Sequence, residues 1–113
     1  STQALTAVQG KILNDQAFAV GQVWVDVMAS RAVSTIYTNS TGKPISVLVY
    51  VRGNTNSTDS ISVVVGGVNL FETPNLIDGD TMAVSFTVPI GATYSLNQLA
   101  AGGISLRAWS ELR

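Results

Sequence analysis

An all-β fold, with two antiparallel sheets packed as a β-sandwich in jelly-roll or Greek-key style, is what this sequence predicts; a single barrel is the second architecture. Three observations lead there. From Gln22 onward, apolar residues recur with a period of two. The runs are short and separated by Gly, Asn, Asp, Ser and Pro. No sustained helical spacing follows Val20.

Taken in order, residues 1–20 read as a linker or the end of a shaft, because Leu5, Val8 and Ile12 are loosely helical in spacing but Gly10 interrupts them. Ser1 in place of a methionine suggests a processed chain or one cut from a longer protein. The domain proper is 21–113. Its first strand sets Val23, Val25 and Val27 against Trp24, Asp26 and Met28. A second is expected over 33–38. Pro44 opens the strongest, where Ile45, Val47, Val49 and Val51 alternate with Ser46, Leu48, Tyr50 and Arg52, both faces reading as partly covered. Strands at 61–65 and 68–71 flank Gly66-Gly67, a two-residue hairpin turn. Asp78-Gly79-Asp80 precedes a strand at 82–88, and 92–96 and 104–109 complete a set of seven or eight.

One domain and one core are what 113 residues allow. Charged residues are 12% of the chain against 46% hydrophobic, and a folded monomer of this mass would offer roughly 450 Å² of surface per charge. Ser, Thr, Asn and Gln, 35 in all, fill part of that gap. So thin a charge cover in so small a chain predicts burial of surface against sibling copies. The net charge of −1 leaves no basic field for a nucleic acid. No apolar run, Val63-Val64-Val65 included, approaches the length needed to span or insert into a membrane. The absence of cysteine fits synthesis in a bacterial cytoplasm. The triplets beginning at Asn39 and Asn56 read as coincidences, not glycan acceptors.

With no His and no Cys, triads and zinc sites are excluded, and neither an enzyme, a metal nor a cofactor is expected. Asp78 and Asp80 form the one close acidic pair, which reads as a solvated turn in preference to a calcium or glycosidase site. The polar run 52–60 supplies Arg52, Asn54, Asn56 and Asp59, side chains suited to planar hydrogen bonding with sugar hydroxyls. A second candidate runs from Phe71 through Asn75 to Leu76 and Ile77, where apolar residues fall in an expected loop; it suits an adhesive tip or a subunit contact. Trp24 and Trp109 are expected to pack at sheet faces or a subunit interface, with Arg107 in cation–π reach of Trp109.

Several pieces share an order and spacing with one known family. They are Trp24 with Asp26 and Val27, Ala29-Ser30-Arg31, Tyr37-Thr38-Asn39, Thr41-Gly42-Lys43-Pro44-Ile45, Pro89, Gly91-Ala92-Thr93-Tyr94, and Trp109 to Leu112. From about Val20 to Arg113 the chain resembles the C-terminal receptor-binding knob of bacteriophage tail fibres. Met28 departs from that pattern, where a small polar residue is expected. The resemblance implies a homotrimeric sandwich at the distal end of a virion's tail fibre, made in the host cytoplasm, that attaches to a bacterial surface glycan or an outer-membrane protein. The shared positions are turn formers and large packing residues, so receptor contacts are expected in the loops at 52–60 and 71–80. A structural virion component, such as a capsid decoration or baseplate piece that binds only other virion proteins, is the alternative; a glycan depolymerase fragment is a third reading.

Overall fold

The computed structural model of the chain describes residues 19–54, 60–73, 76–99 and 104–113, so the expected linker lies almost wholly outside them. Eight strands form: β1 (Trp24–Asp26), β2 (Tyr37–Thr38), β3 (Ile45–Gly53), β4 (Ile61–Val65), β5 (Val68–Glu72), β6 (Thr81–Val88), β7 (Thr93–Gln98) and β8 (Ile104–Leu112). They build two four-stranded antiparallel sheets, β1-β8-β3-β6 (sheet A) and β2-β7-β4-β5 (sheet B). Only β4 and β5 are consecutive neighbours; every other connection crosses between sheets, which is jelly-roll connectivity.

The period-two pattern determines which side chains fill the space between the sheets. Ile45, Val47, Val49 and Val51 of β3 are wholly buried, opposed by Ile61, Val63 and Leu96 from sheet B, with Trp109 equally buried. Burying each such Val, Ile or Leu side chain contributes about 1.5–3 kcal/mol before chain entropy is counted. The outer face of sheet A differs from expectation. Leu48 and Tyr50 are each 41% exposed, because nothing among the described residues packs over that face.

Two strands are shorter than their sequence pattern. β1 is an edge strand, and of its valines only Val27, just beyond it and bonded through its N–H to Trp109 O, reaches the core. Residues 33–36 do not extend β2, since Ser34 takes a left-handed φ of 57° where the chain crosses from one sheet to the other. The glycine pair behaves as expected, Gly66 and Gly67 having φ of 59° and 81°, the backbone of a type I′ hairpin.

The sandwich has two unlike ends. At one, the turns 39–44, 66–67 and 89–92 gather around the chain's arrival and departure. Val23 and Arg113 exchange both backbone hydrogen bonds there (3.1 and 3.0 Å), and the Gln22 side-chain amide donates to Pro44 O and Leu112 O. Asn39, 1% exposed, ties the turns together: its amide donates to Lys43 O, Val88 O and Pro89 O, and its Oδ1 accepts from Thr41 N and Oγ1. A side chain so buried and committed carries no glycan, in line with reading that triplet as coincidence. At the opposite end lie residues 27–36, with Asn54, Ser60, Thr73, 76–80 and Leu99.

Asn39→Ala removes five hydrogen bonds at once from a buried position, although Lys43 O keeps Thr41 Oγ1 and Pro89 O keeps Ala92 N as donors, and is expected to cost at least about 2 kcal/mol. The check is a lowered urea midpoint at unchanged m-value.

Candidate functional site

The loop end is built on Gly53. Its Cα lies against the Ile77 carbonyl so closely that an added Cβ would stand 2.1 Å from Ile77 O. That approach lets Gly53 N donate to Asp80 O (2.8 Å) and Gly79 N donate to Gly53 O (3.0 Å), which fastens the 76–80 turn to the end of β3. Leu76 is buried beneath this turn, 4% exposed, and anchors it to the core. Leu99 N in turn donates to Ser60 O (3.0 Å), joining the end of β7 to the start of β4. Thus the described flanks of the two loops singled out in the sequence, Asn54 and 76–80, lie at one end of the sandwich together with Ser60 and Leu99.

The individual candidates fare differently. Arg52 stands on β3, not in a loop, exposed on the outer face of sheet A between Ser105 and Thr81. Asn54 is exposed just beyond that strand. Phe71 belongs to β5, the edge of sheet B, and is 37% exposed. Leu76 faces the core and only Ile77, at 46%, presents an apolar side chain to solvent in that stretch. Asn56, Asp59 and Asn75 lie outside the described residues. Asp78 and Asp80 form the expected turn: Gly79 has φ of 88°, and Asp80 Oδ2 accepts from Ile77 N. Among the described residues no three His, Cys, Asp or Glu converge as metal ligands. The surface therefore offers Asn54, Asp78 and Asp80 beside Ile77 and Leu99, both about half exposed, a mixture that can hydrogen-bond and pack on a ligand.

A second cluster went unseen in the sequence. Glu111, with no solvent exposure, accepts from Arg31 Nε and NH2 (both 3.1 Å), Tyr94 OH (2.8 Å) and Trp109 Nε1 (3.0 Å). Arg113 Nε lies 3.5 Å from its other oxygen. Burial pushes the Glu111 carboxyl upward as the largest single influence, but the hydrogen bonds from Arg31, Tyr94 and Trp109 and the charge of Arg31 together outweigh it, so it sits below the ordinary value. Burial, then the bond to Glu111, raises the Tyr94 phenol to about 12. Perturbed groups of this kind also mark active sites. Here every buried side-chain polar atom among the described residues has a partner, and both carboxylate oxygens are engaged by side chains of the same chain. The cluster joins β8 to β7 and to the segment after β1, and it is a structural clasp between the sheets. The Arg107–Trp109 contact does not form. A bulge in β8 places Arg107 outward, while Trp109 packs on Tyr37 and Arg31 stacks 4.5 Å over that same tyrosine.

Trp24, unlike Trp109, is 54% exposed on the outer face of sheet A. No family model, curated protein or solved structure matches this chain.

Gly53→Ala is expected to cost at least about 1–3 kcal/mol, since the Ile77 carbonyl must move to admit a methyl; a lowered thermal midpoint with faster amide exchange at 76–80 would register it. Arg31→Ala leaves buried Glu111 with only the longer contact to the more exposed Arg113 and is expected to cost about 3–5 kcal/mol in denaturant melts. The pH dependence follows from the two shifts. Because Glu111 is held below 4.5, its contribution is complete above that pH and lost as pH falls through its folded value; because Tyr94 is raised from 10.0 to about 12, its contribution is complete below pH 10 and lost on approaching 12. Urea midpoints across pH should therefore show a plateau between these limits, and Glu111→Gln should reduce the acid-side slope.

Proposed function

We propose that this chain is the receptor-binding tip of a bacteriophage tail fibre, assembled as a trimer, which attaches the virion to a bacterial surface receptor, a saccharide by preference. The observation that carries the reading is the polarity of the sandwich. Val23 and Arg113 pair through backbone bonds at one end, and the described residues Asn54, Ser60, 76–80 and Leu99 gather at the other. A domain held at one end of a shaft presents its opposite end to whatever the shaft points at. The jelly roll is a fold that also hosts lectins, a likeness at fold level only. The residues shared with tail-fibre knobs, Arg31, Tyr94, Trp109 and Glu111 in the clasp and Asn39 and Thr41 in the turns, have structural tasks here, which leaves the loop end free to vary. Several copies on one tip convert weak sugar contacts into firm attachment, by about 10²–10⁴ over one site.

A structural virion component is the second reading, favoured by the open apolar face of sheet A, which suits contact with protein more than with sugar.

Replacing Asn54, Asn56 and Asp59 together with Ala is expected to lower binding to host cells or to a host-glycan array at least tenfold while far-UV circular dichroism stays unchanged. Unchanged adsorption, with 73–80 and 99–103 then also replaced, would favour the structural reading.

A further inference from the structure

Of the four sheet edges among the described residues, three are guarded. β1 has three residues and carries Asp26, β2 has two residues, and β5 breaks register against β4 and carries Glu72. Short length, bulges and charge are the devices by which edge strands avoid pairing with other chains. β6 has none of them. It runs eight residues, Thr81–Val88, without a charge or a proline, and its register with β3 is unbroken from Arg52 opposite Thr81 to Ile45 opposite Val88.

Which backbone groups this edge leaves open follows from one bond. Gly53 N donates to Asp80 O (2.8 Å), so the residue pair just ahead of β6 is a hydrogen-bonded one. Bonded pairs then recur at every second residue. This turns the N–H and C=O groups of Met82, Val84, Phe86 and Val88 toward β3, and those of Ala83, Ser85 and Thr87 away from it. The same three residues are exposed and have small side chains. On the core side of the edge, Val84 and Phe86 keep 6% and 7% exposure and Met82 is half-buried. A row of donors and acceptors that repeats every two residues, about 6.8 Å, is met in full by another extended main chain and not by a sugar. The loop end of the row is acidic. Asp78 and Asp80 stand exposed on the turn that enters β6, while Arg52 lies one strand further in. The β6 of a second copy brings no cation to that end, because 81–92 is uncharged and Lys43, beside Val88, is engaged with Val20 O.

We propose that β6 is a docking edge for an extended strand of a different protein, which adds antiparallel to sheet A and bonds to the main chain of Ala83, Ser85 and Thr87. The docked strand sets alternate apolar side chains beside Met82, Val84 and Phe86, and its C-terminal end brings a Lys or Arg to Asp78 and Asp80. The site lies along the flank of the sandwich and does not rest on the tip reading.

The probe is a fluorescein-labelled peptide of four Thr-Val repeats closed by two lysines, titrated into the 113-residue chain and followed by anisotropy and by NMR amide exchange. Before peptide is added, the amides of Ala83, Ser85 and Thr87 are expected to exchange fast and those of Val84 and Phe86 slowly. Saturating peptide should slow the first three at least about tenfold. With its valines on the core side, the peptide turns its threonine N–H groups toward β6. N-methylation of the threonines should therefore weaken binding at least about tenfold, and N-methylation of the valines should leave it unchanged. Ser85→Pro removes one outward donor and no bond to β3, so it should fold as the wild type does and bind about tenfold more weakly. Asp78→Lys should weaken binding about threefold. Should Ser85→Pro unfold, exchange on the wild type still decides. No saturable binding, equal effects of the two methylation patterns, or new protection on other strands would each overturn the inference. So would a free chain that already protects those three amides by pairing with a second copy, recognised by faster exchange on dilution. Replacing Asn54, Asn56 and Asp59 with Ala should leave the peptide bound, so failure of the tip reading and failure of this one are read separately.

Discussion

A carboxylate placed between two β-sheets costs several kcal/mol in lost hydration unless every lone pair is met. Glu111 is so placed, and the demand to satisfy it organises much of the molecule around it. Arg31 must come back from the crossing after β1, Tyr94 must rise from β7, and Trp109 must stand two residues earlier on the same side of β8. Tyr37 then fills the space bounded by Arg31, Tyr94 and Trp109. The clasp thereby fixes how the two sheets sit on one another, a relation that valine packing alone leaves loosely specified, since aliphatic faces slide with little penalty.

From that fixed relation the division between ends follows. The anchored end is saturated with backbone and Asn39 hydrogen bonds, and it joins the first and last residues of the domain. At the loop end, order comes from the Gly53–Ile77 approach and the buried Leu76. Exposed apolar side chains lie on the outer face of sheet A (Trp24, Leu48, Tyr50), along β5 (Val68, Leu70, Phe71) and at the loop end (Ile36, Ile77, Leu99).

Most of the fold was legible in the sequence because each strand bore a two-residue period and each break bore its own turn chemistry, Gly66-Gly67 most plainly. What escaped was whatever depends on partners distant along the chain. Arg31 and Glu111 are 80 positions apart and looked like surface charges; the need that joins them exists only once both are buried. Leu76 looked exposed because it follows Phe71 and Pro74 in a turn-rich run, and only the carbonyl of its neighbour lying on Gly53 draws it inward. The shortness of β1 and β2 reflects edge position and the left-handed Ser34, neither of which leaves a hydropathy signal. Within the candidate site, the polar loop at 52–60 announced itself by composition. The stretch 99–103, Leu-Ala-Ala-Gly-Gly, has no side chain that would draw notice in the sequence, and Leu99 reaches the site only through its backbone bond to Ser60.

The account's central claim is that attachment happens at the end opposite the termini. Hydrogen–deuterium exchange of the assembled chain, with and without envelope polysaccharide from a sensitive host, tests it most directly. New protection confined to 54–60, 73–80 and 99–103 is the predicted result. Protection at 39–44 or 89–92, or none anywhere under conditions where the polysaccharide is bound, would contradict it.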